Sequence, residues 1–259
     1  MPLFIMRGLL SAVLAVVCMH TSPALAASPY ESALQLIAIG QITEARRALR
    51  TELRMRPEHL EARYNLALLL EDIGHADDAL ALYKENLSLG WHLPSLVNLA
   101  ALLEKQGEID SARSWLEKAT MKMHDEAAPW YLLAAMAEKK GDISTARSYF
   151  YKATKVDALN GFAWFHLAAF KFRQHSGDDG LKNAAKAMRL LPHCAPCWQT
   201  YGDMLQARKK HQQAMVAYQK SIAIAPSNET RKHLIVTLRS LGEHRRADAM
   251  QRIVDIGKP

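Results

Sequence analysis

The chain has 259 residues, with 33 Lys and Arg against 26 Asp and Glu and only three cysteines. With 49% hydrophobic and 23% charged residues it is neither a disordered tail nor a protein of many membrane spans. Twelve Gly and ten Pro are too few for a collagenous or low-complexity chain, and three Cys cannot make a disulfide-dense mini-scaffold.

The first segment reads as an address. In residues 1–26, Arg7 precedes the apolar run Gly8–Met19, and Ala24-Leu25-Ala26 presents small residues where a signal peptidase reads. The run is shorter than the roughly 20 residues that cross a bilayer. The pattern predicts a secretory signal peptide over 1–26 and a periplasmic or secreted mature chain starting near residue 27. Cys18 invites comparison with a lipoprotein, but Val16-Val17 lack the small residues that lipidation favours.

From residue 27 onward the chain repeats. Gly40, Gly74, Gly107 and Gly141 recur at steps of 34, 33 and 34, and Ala45, Ala79, Ala112 and Ala146 follow each glycine by five residues. Trp130, Trp164 and Trp198 are 34 apart, as are Pro192 and Pro226. A shared period in several residue types is the mark of a repeat architecture.

Each period predicts a helix, a tight turn and a second helix. In Trp130–Gly141 the apolar residues fall at i, i+3, i+4 and i+7. Gly141 stops the first helix by taking a left-handed conformation, and Asp142 can accept the orphan amide protons at the start of the second. Ala146, Phe150 and Ala153 form the buried stripe of that second helix. Ala134 and Ala146 stand where the two helices cross. Pro192 and Pro226 end second helices. No period-two run or hairpin turn predicts a strand.

This unit resembles the tetratricopeptide repeat. The resemblance is carried by Leu66, Ala67, Gly74, Ala79 and Tyr83; by Trp130, Leu133, Ala134, Ala146, Phe150 and Ala153; by Trp164, Leu167, Ala168, Ala187 and Pro192; and by Trp198, Tyr201, Gly202, Leu205, Ala214, Tyr218 and Pro226. It implies an all-α, right-handed superhelical solenoid of six to seven helix-turn-helix repeats. The units fall near 27–59, 60–92, 93–126, 127–160, 161–194 and 195–228, with a weaker capping unit at 229–259 that keeps Leu234, Leu238, Gly242 and Ala247. Two departures are visible. His175 replaces the turn glycine of the fifth repeat, followed by Ser176-Gly177-Asp178-Asp179-Gly180. The step between the second and third repeats is one residue short.

The resemblance also implies a binding groove on the first helices. Mapped onto this sequence, the groove residues are Tyr64, Asn65, Leu68, Asn98, Tyr131, Phe162, Phe165, His166 and Phe172. Asn65 and Asn98 can each offer a donor and an acceptor to the main chain of an extended peptide. The aromatic rings stand at positions that packing between repeats is not expected to need, and exposed aromatic clusters mark partner sites. A basic clamp used by some relatives for a terminal carboxylate is not filled, because Tyr64 and Val97 occupy its positions.

Residues 182–259 hold 14 Lys and Arg against 5 Asp and Glu, so the basic charge sits at the C-terminal end. Such an end suits an acidic partner or a peripheral membrane contact. No nucleic-acid recognition motif accompanies it. In His193-Cys194-Ala195-Pro196-Cys197-Trp198 the Cys194/Cys197 pair stands between the fifth and sixth repeats. In an oxidising compartment the pair is expected to close as a disulfide that pins the turn. The redox alternative is associated with a βαβ setting that this sequence lacks, haem attachment needs a His where Trp198 stands, and zinc needs further ligands.

The eleven His are scattered, and neither a metalloprotease pair nor a nucleophile elbow nor a phosphate loop occurs. The sequence therefore predicts no catalytic residues, no metal and no cofactor. The expected function is a non-enzymatic adaptor that holds a protein or peptide segment and assists assembly of an envelope complex. The alternative is a thiol-redox or metal-handling factor built on Cys194 and Cys197.

Overall fold

A computed structural model describes residues 27–174 and 179–256. The signal-peptide reading of residues 1–26, Cys18 included, and the reshaped turn at 175–178 lie outside the described residues. The described residues form fourteen α-helices in seven consecutive pairs, with no strand among them. They fall into two compact units, one ending at His124 and the other starting at Asp125.

The first unit holds three pairs: α1 (Pro29–Ala38) with α2 (Ile42–Met55), α3 (Leu60–Asp72) with α4 (Ala76–Leu89), and α5 (Leu93–Gln106) with α6 (Ile109–Lys122). The second holds four: α7 (Ala128–Lys139) with α8 (Ile143–Val156), α9 (Gly161–Arg173) with α10 (Asp179–Leu190), α11 (Ala195–Ala207) with α12 (His211–Ile224), and α13 (Asn228–Ser240) with α14 (His244–Ile256). Within each unit a second helix packs both on its own partner and on the first helix of the next pair. A helix pair cannot bury its apolar faces alone, so the core runs continuously through each stack.

Local chemistry sets the helix ends. Ser28 and Glu31 form a reciprocal capping box at the start of α1. Asp142 accepts the Thr145 amide at 3.0 Å and so opens α8 as its sequence position predicts. Gly141 takes φ +85°, the left-handed conformation that turns α7 back toward α8 at no steric cost. In the sixth repeat Lys209 occupies the equivalent place and adopts φ +56° without being a glycine.

The alanines five residues after the turn glycines are the crossing points. Ala45, Ala79, Ala112 and Ala146 are all fully buried, as small side chains at close-packed helix contacts are expected to be. Tyr83, Phe150 and Tyr218 fill the core of their pairs from the second helix. Burial raises the Tyr83 and Tyr218 hydroxyls well above the ordinary phenol range. Both remain satisfied, donating to Glu71 (3.3 Å) and Asp203 (2.7 Å).

The core of the first unit also carries a polar network. Asn86, fully buried on α4, donates to the Leu60 carbonyl (2.8 Å) and to Ser95 Oγ (2.9 Å), and accepts from Arg63 Nη1 (3.2 Å). Arg63 continues to the Pro57 carbonyl and to Glu85. Nearby, buried Glu52 meets His59 at 2.6 Å and Arg56 at 2.5 Å. Burial alone would raise its carboxyl, but His59 and Arg56 hold it below the usual range.

Candidate functional site

Successive first helices present one face in each unit, and each stretch of that face is built from contacts between neighbouring repeats. In the first unit Asn65 Nδ2 on α3 donates to the Tyr30 hydroxyl on α1 (3.1 Å). One repeat later Asn98 Nδ2 on α5 donates to the Tyr64 hydroxyl on α3 (3.3 Å) and to Tyr83 (3.4 Å). In the second unit His166 on α9 takes the place of the asparagine. It stacks on the Tyr131 ring of α7, with centroids 4.6 Å apart and planes 14° from parallel. A polar or aromatic side chain therefore meets the aromatic ring of the preceding repeat at each of the three steps.

This geometry corrects two expectations. Asn98 spends both of its amide protons and Asn65 one of its two within the stack, so a guest main chain would meet the side-chain oxygens and a single Asn65 N–H. Nor are all the aromatic rings dispensable to packing. Tyr131 is 8% exposed and Phe165 is 3% exposed, because both wedge between adjacent helices, with Phe165 edge-on to His166 at 5.7 Å. Replacing both with alanine would open the core and lower helix content, and so would not report on binding alone.

The side chains that remain half-exposed are Tyr64, Asn65, Leu68 and Asn98 in the first unit and Phe162, His166 and Phe172 in the second. Burial raises the Tyr64 hydroxyl above its ordinary value, against the opposing bond from Asn98. Burial, helped by the Arg173 charge, depresses His166 to about 4, so its ring is neutral at pH 7.

Charged side chains frame the second stretch. Arg173 on α9 makes a two-point ion pair with Glu138 on α7, at 2.9 and 2.6 Å. Arg208, just past α11, lies 5.6 Å from the Phe172 ring centroid, within cation–π range. The α11–α13 step is polar. Thr230 donates to Gln199 (2.7 Å), His233 lies 2.7 Å from Asp203, and Thr237 donates to Gln206 (3.1 Å). The separation of Glu138 and Arg173 by one repeat plus one residue was the sequence signal for this frame.

Cys194 and Cys197 sit at the start of α11 with their sulfurs 2.01 Å apart. Among the described residues no group of three or more His, Cys, Asp or Glu could hold a metal ion, and no helix is long and apolar enough to cross a membrane.

Comparison with known proteins agrees with this architecture. Tetratricopeptide repeat models match residues 30–94, 95–120, 127–158 and 195–228, together more than half of the chain. No curated protein matches. Among solved structures, yeast Tom70 is similar with TM-score 0.63 at 16% identity, over 92% of this chain and 55% of its own. The matched chain of the APC/C hetero-tetramer Cut9-Hcn1 has TM-score 0.59 at 20% identity, over 81% of this chain and 42% of its own. A tetratricopeptide repeat protein from Parabacteroides merdae has TM-score 0.57 at 17% identity, over 89% and 92%. The chain thus spans about half the length of the first two, and at these identities the likeness is one of fold. On its repeat models, its paired helices and its structural neighbours, the chain belongs to the tetratricopeptide repeat family and is an all-α helical repeat solenoid.

Proposed function

We propose that the protein is a non-enzymatic adaptor of the bacterial periplasm that holds a peptide or protein segment on its first-helix faces and assists assembly of an envelope complex. Tetratricopeptide repeat proteins bind peptides or proteins and are generally scaffolds. The observation that carries the reading is the second-unit stretch: α9 presents the half-exposed rings of Phe162, His166 and Phe172, with His166 packed on buried Tyr131 and Phe165 and the Glu138–Arg173 pair alongside. A rigid aromatic row with a polar margin is the composition of a protein-binding patch. The compartment is supported by the apolar leader pattern at residues 1–26 and by the paired cysteines, which persist where conditions are oxidising.

The test is site-specific photocrosslinking in cells. A photoreactive residue at Phe172 or Leu68 should trap a discrete partner, and one at exposed Tyr151 on the second helix α8 should not. Phe162→Ala should weaken the crosslink from a photoreactive residue at position 172 while helix content stays constant. Equal trapping from both positions would overturn the assignment of the face. Fractionation of the same cells, with the mass of the mature N-terminus, tests the compartment. A chain retained in the cytoplasm with residues 1–26 intact would overturn that part.

A further inference from the structure

An adaptor role leaves the cysteine pair unused, and the preceding repeat closes its equivalent turn without one. Asn160 and Ala163 stand one repeat before Cys194 and Cys197. There the Asn160 side chain accepts the Ala163 amide at 3.0 Å, just as Cys194 Sγ accepts the Cys197 amide at 3.3 Å. Trp164 Nε1 donates to the Ala158 carbonyl (2.9 Å), and Trp198 Nε1 donates likewise to the Pro192 carbonyl (3.0 Å). The turn at Ala158–Asn160 therefore closes with the same bonds and no sulfur. At the later turn, the Cys194 amide to Leu191 (3.2 Å) and Ser221 Oγ to the Ala195 carbonyl (2.9 Å) add further anchors independent of the cross-link.

The two sulfurs are unequal. Cys197 is fully buried. Cys194 is half-buried, next to exposed His193 and close to exposed Pro196, so of the two residues it is the one open to solvent. Cys194 is also the N-cap of α11, facing the positive end of a 13-residue helix, with the Cys197 amide proton already directed at its sulfur. A thiolate in that position is stabilised over the thiol and becomes a good leaving group. Both properties arise from the helix start and require no sheet beside it.

We propose that Cys194 and Cys197 form a thiol–disulfide exchange site that accepts electrons from a dithiol on an exported protein. A client thiolate attacks Cys194 Sγ, and the Cys194–Cys197 bond breaks. Cys197 takes the electron pair and a proton from solvent, leaving a mixed disulfide at Cys194. The client's second thiolate then attacks its own sulfur in that bond, and Cys194 departs as a thiolate held by the Cys197 amide. The client loses two electrons and two protons and gains a disulfide. The pair gains both electrons and ends reduced. Exchange in reverse with a disulfide such as oxidised glutathione restores it.

The test uses the full mature chain, with reduced and oxidised glutathione as probes. Millimolar reduced glutathione should open the pair in the folded protein, with little change in the thermal midpoint. In Cys197→Ser, Cys194 should alkylate at pH 6 at least about tenfold faster than glutathione, and should attack oxidised glutathione to form a one-to-one mixed disulfide, releasing one reduced glutathione. Cys194→Ser should form none. Cys197→Ala is the second variant, and the reduced wild-type chain gives the same alkylation readout without any substitution. A pair that stays closed in reduced glutathione, or a Cys194 that reacts no faster than glutathione, would overturn the proposal. A pair whose opening unfolds the protein would show it to be a staple. None of these readouts depends on the first-helix faces, so the photocrosslinks at Phe172 and Leu68 stand or fall separately.

Discussion

Lys186 Nζ on α10 lies 3.5 Å above the ring centroid of Trp164 on α9. The same pairing recurs one repeat earlier between Lys152 and Trp130 (5.1 Å) and one repeat later between Lys220 and Trp198 (4.3 Å). Three tryptophans and three lysines thus keep a common period, and each ammonium caps the outer face of an indole while its methylene stem covers apolar surface. Lys186→Met keeps the stem and removes the charge. It should lower stability by about 0.5–1 kcal/mol, read as a shift in urea midpoint with unchanged slope, and the same change at Lys182, which faces Asp179 at 3.6 Å on the surface, should have less effect.

Lys209 holds the left-handed turn conformation that glycine supplies at Gly141. An L-residue there is strained by about 1–2 kcal/mol, part of which glycine gives back through its freer unfolded chain. Lys209→Gly should therefore raise stability by about 0.5–1 kcal/mol. A lower melting temperature for this variant would contradict the strain argument.

Gly202 on α11 faces the Tyr218 ring of α12 so closely that an added Cβ would lie 2.5 Å from a ring carbon. Tyr218 is buried and tied to Asp203, so the ring cannot retreat without losing that bond. Gly202→Ala should destabilise by about 1–3 kcal/mol despite the better helix propensity of alanine. Denaturant unfolding of Gly202→Ala, alone and with Tyr218→Phe, checks this. Relief by the second change would place part of the cost in the hydroxyl bond.

His166 is neutral in the fold, its value depressed from 6.5 to about 4 chiefly by burial and then by Arg173. The unfolded chain binds the proton more readily, so the contribution of this site is complete above pH 6.5. It falls as pH drops, and is lost by about pH 4. A shift of this size corresponds to at most about 3 kcal/mol. Solvent at the half-buried ring edge screens it, leaving an expected loss of about 1–2 kcal/mol. His166→Phe should flatten the stability profile across that window while preserving the stack on Tyr131. An unchanged profile would mean that the ring does not titrate there.

Much of the architecture was legible because it depends on spacing. Gly141, Asp142, Ala146 and Phe150 announced a turn, a cap, a crossing and a core position, and all four take those roles. Spacing is a one-dimensional property, and a repeat whose neighbours pack at a fixed period translates it directly into structure. The candidate face was read less well. Its positions follow from the repeat, but whether a side chain there is spent inside the stack depends on what the preceding repeat offers. Asn65 finds Tyr30, Asn98 finds Tyr64, and Tyr131 and Phe165 are pressed inward by their neighbours.

The cysteines show the same division. The sequence by itself determined that Cys194 and Cys197 stand three residues apart at the opening of a helix in a repeat array. Their unequal access, and the equivalence of their turn to the one at Asn160 and Ala163, were decided by tertiary structure. Periodicity specifies which helix a residue belongs to and which way it faces. Exposure and partnership arise only when two helices close on each other, because only then do side chains distant in sequence compete for the same space.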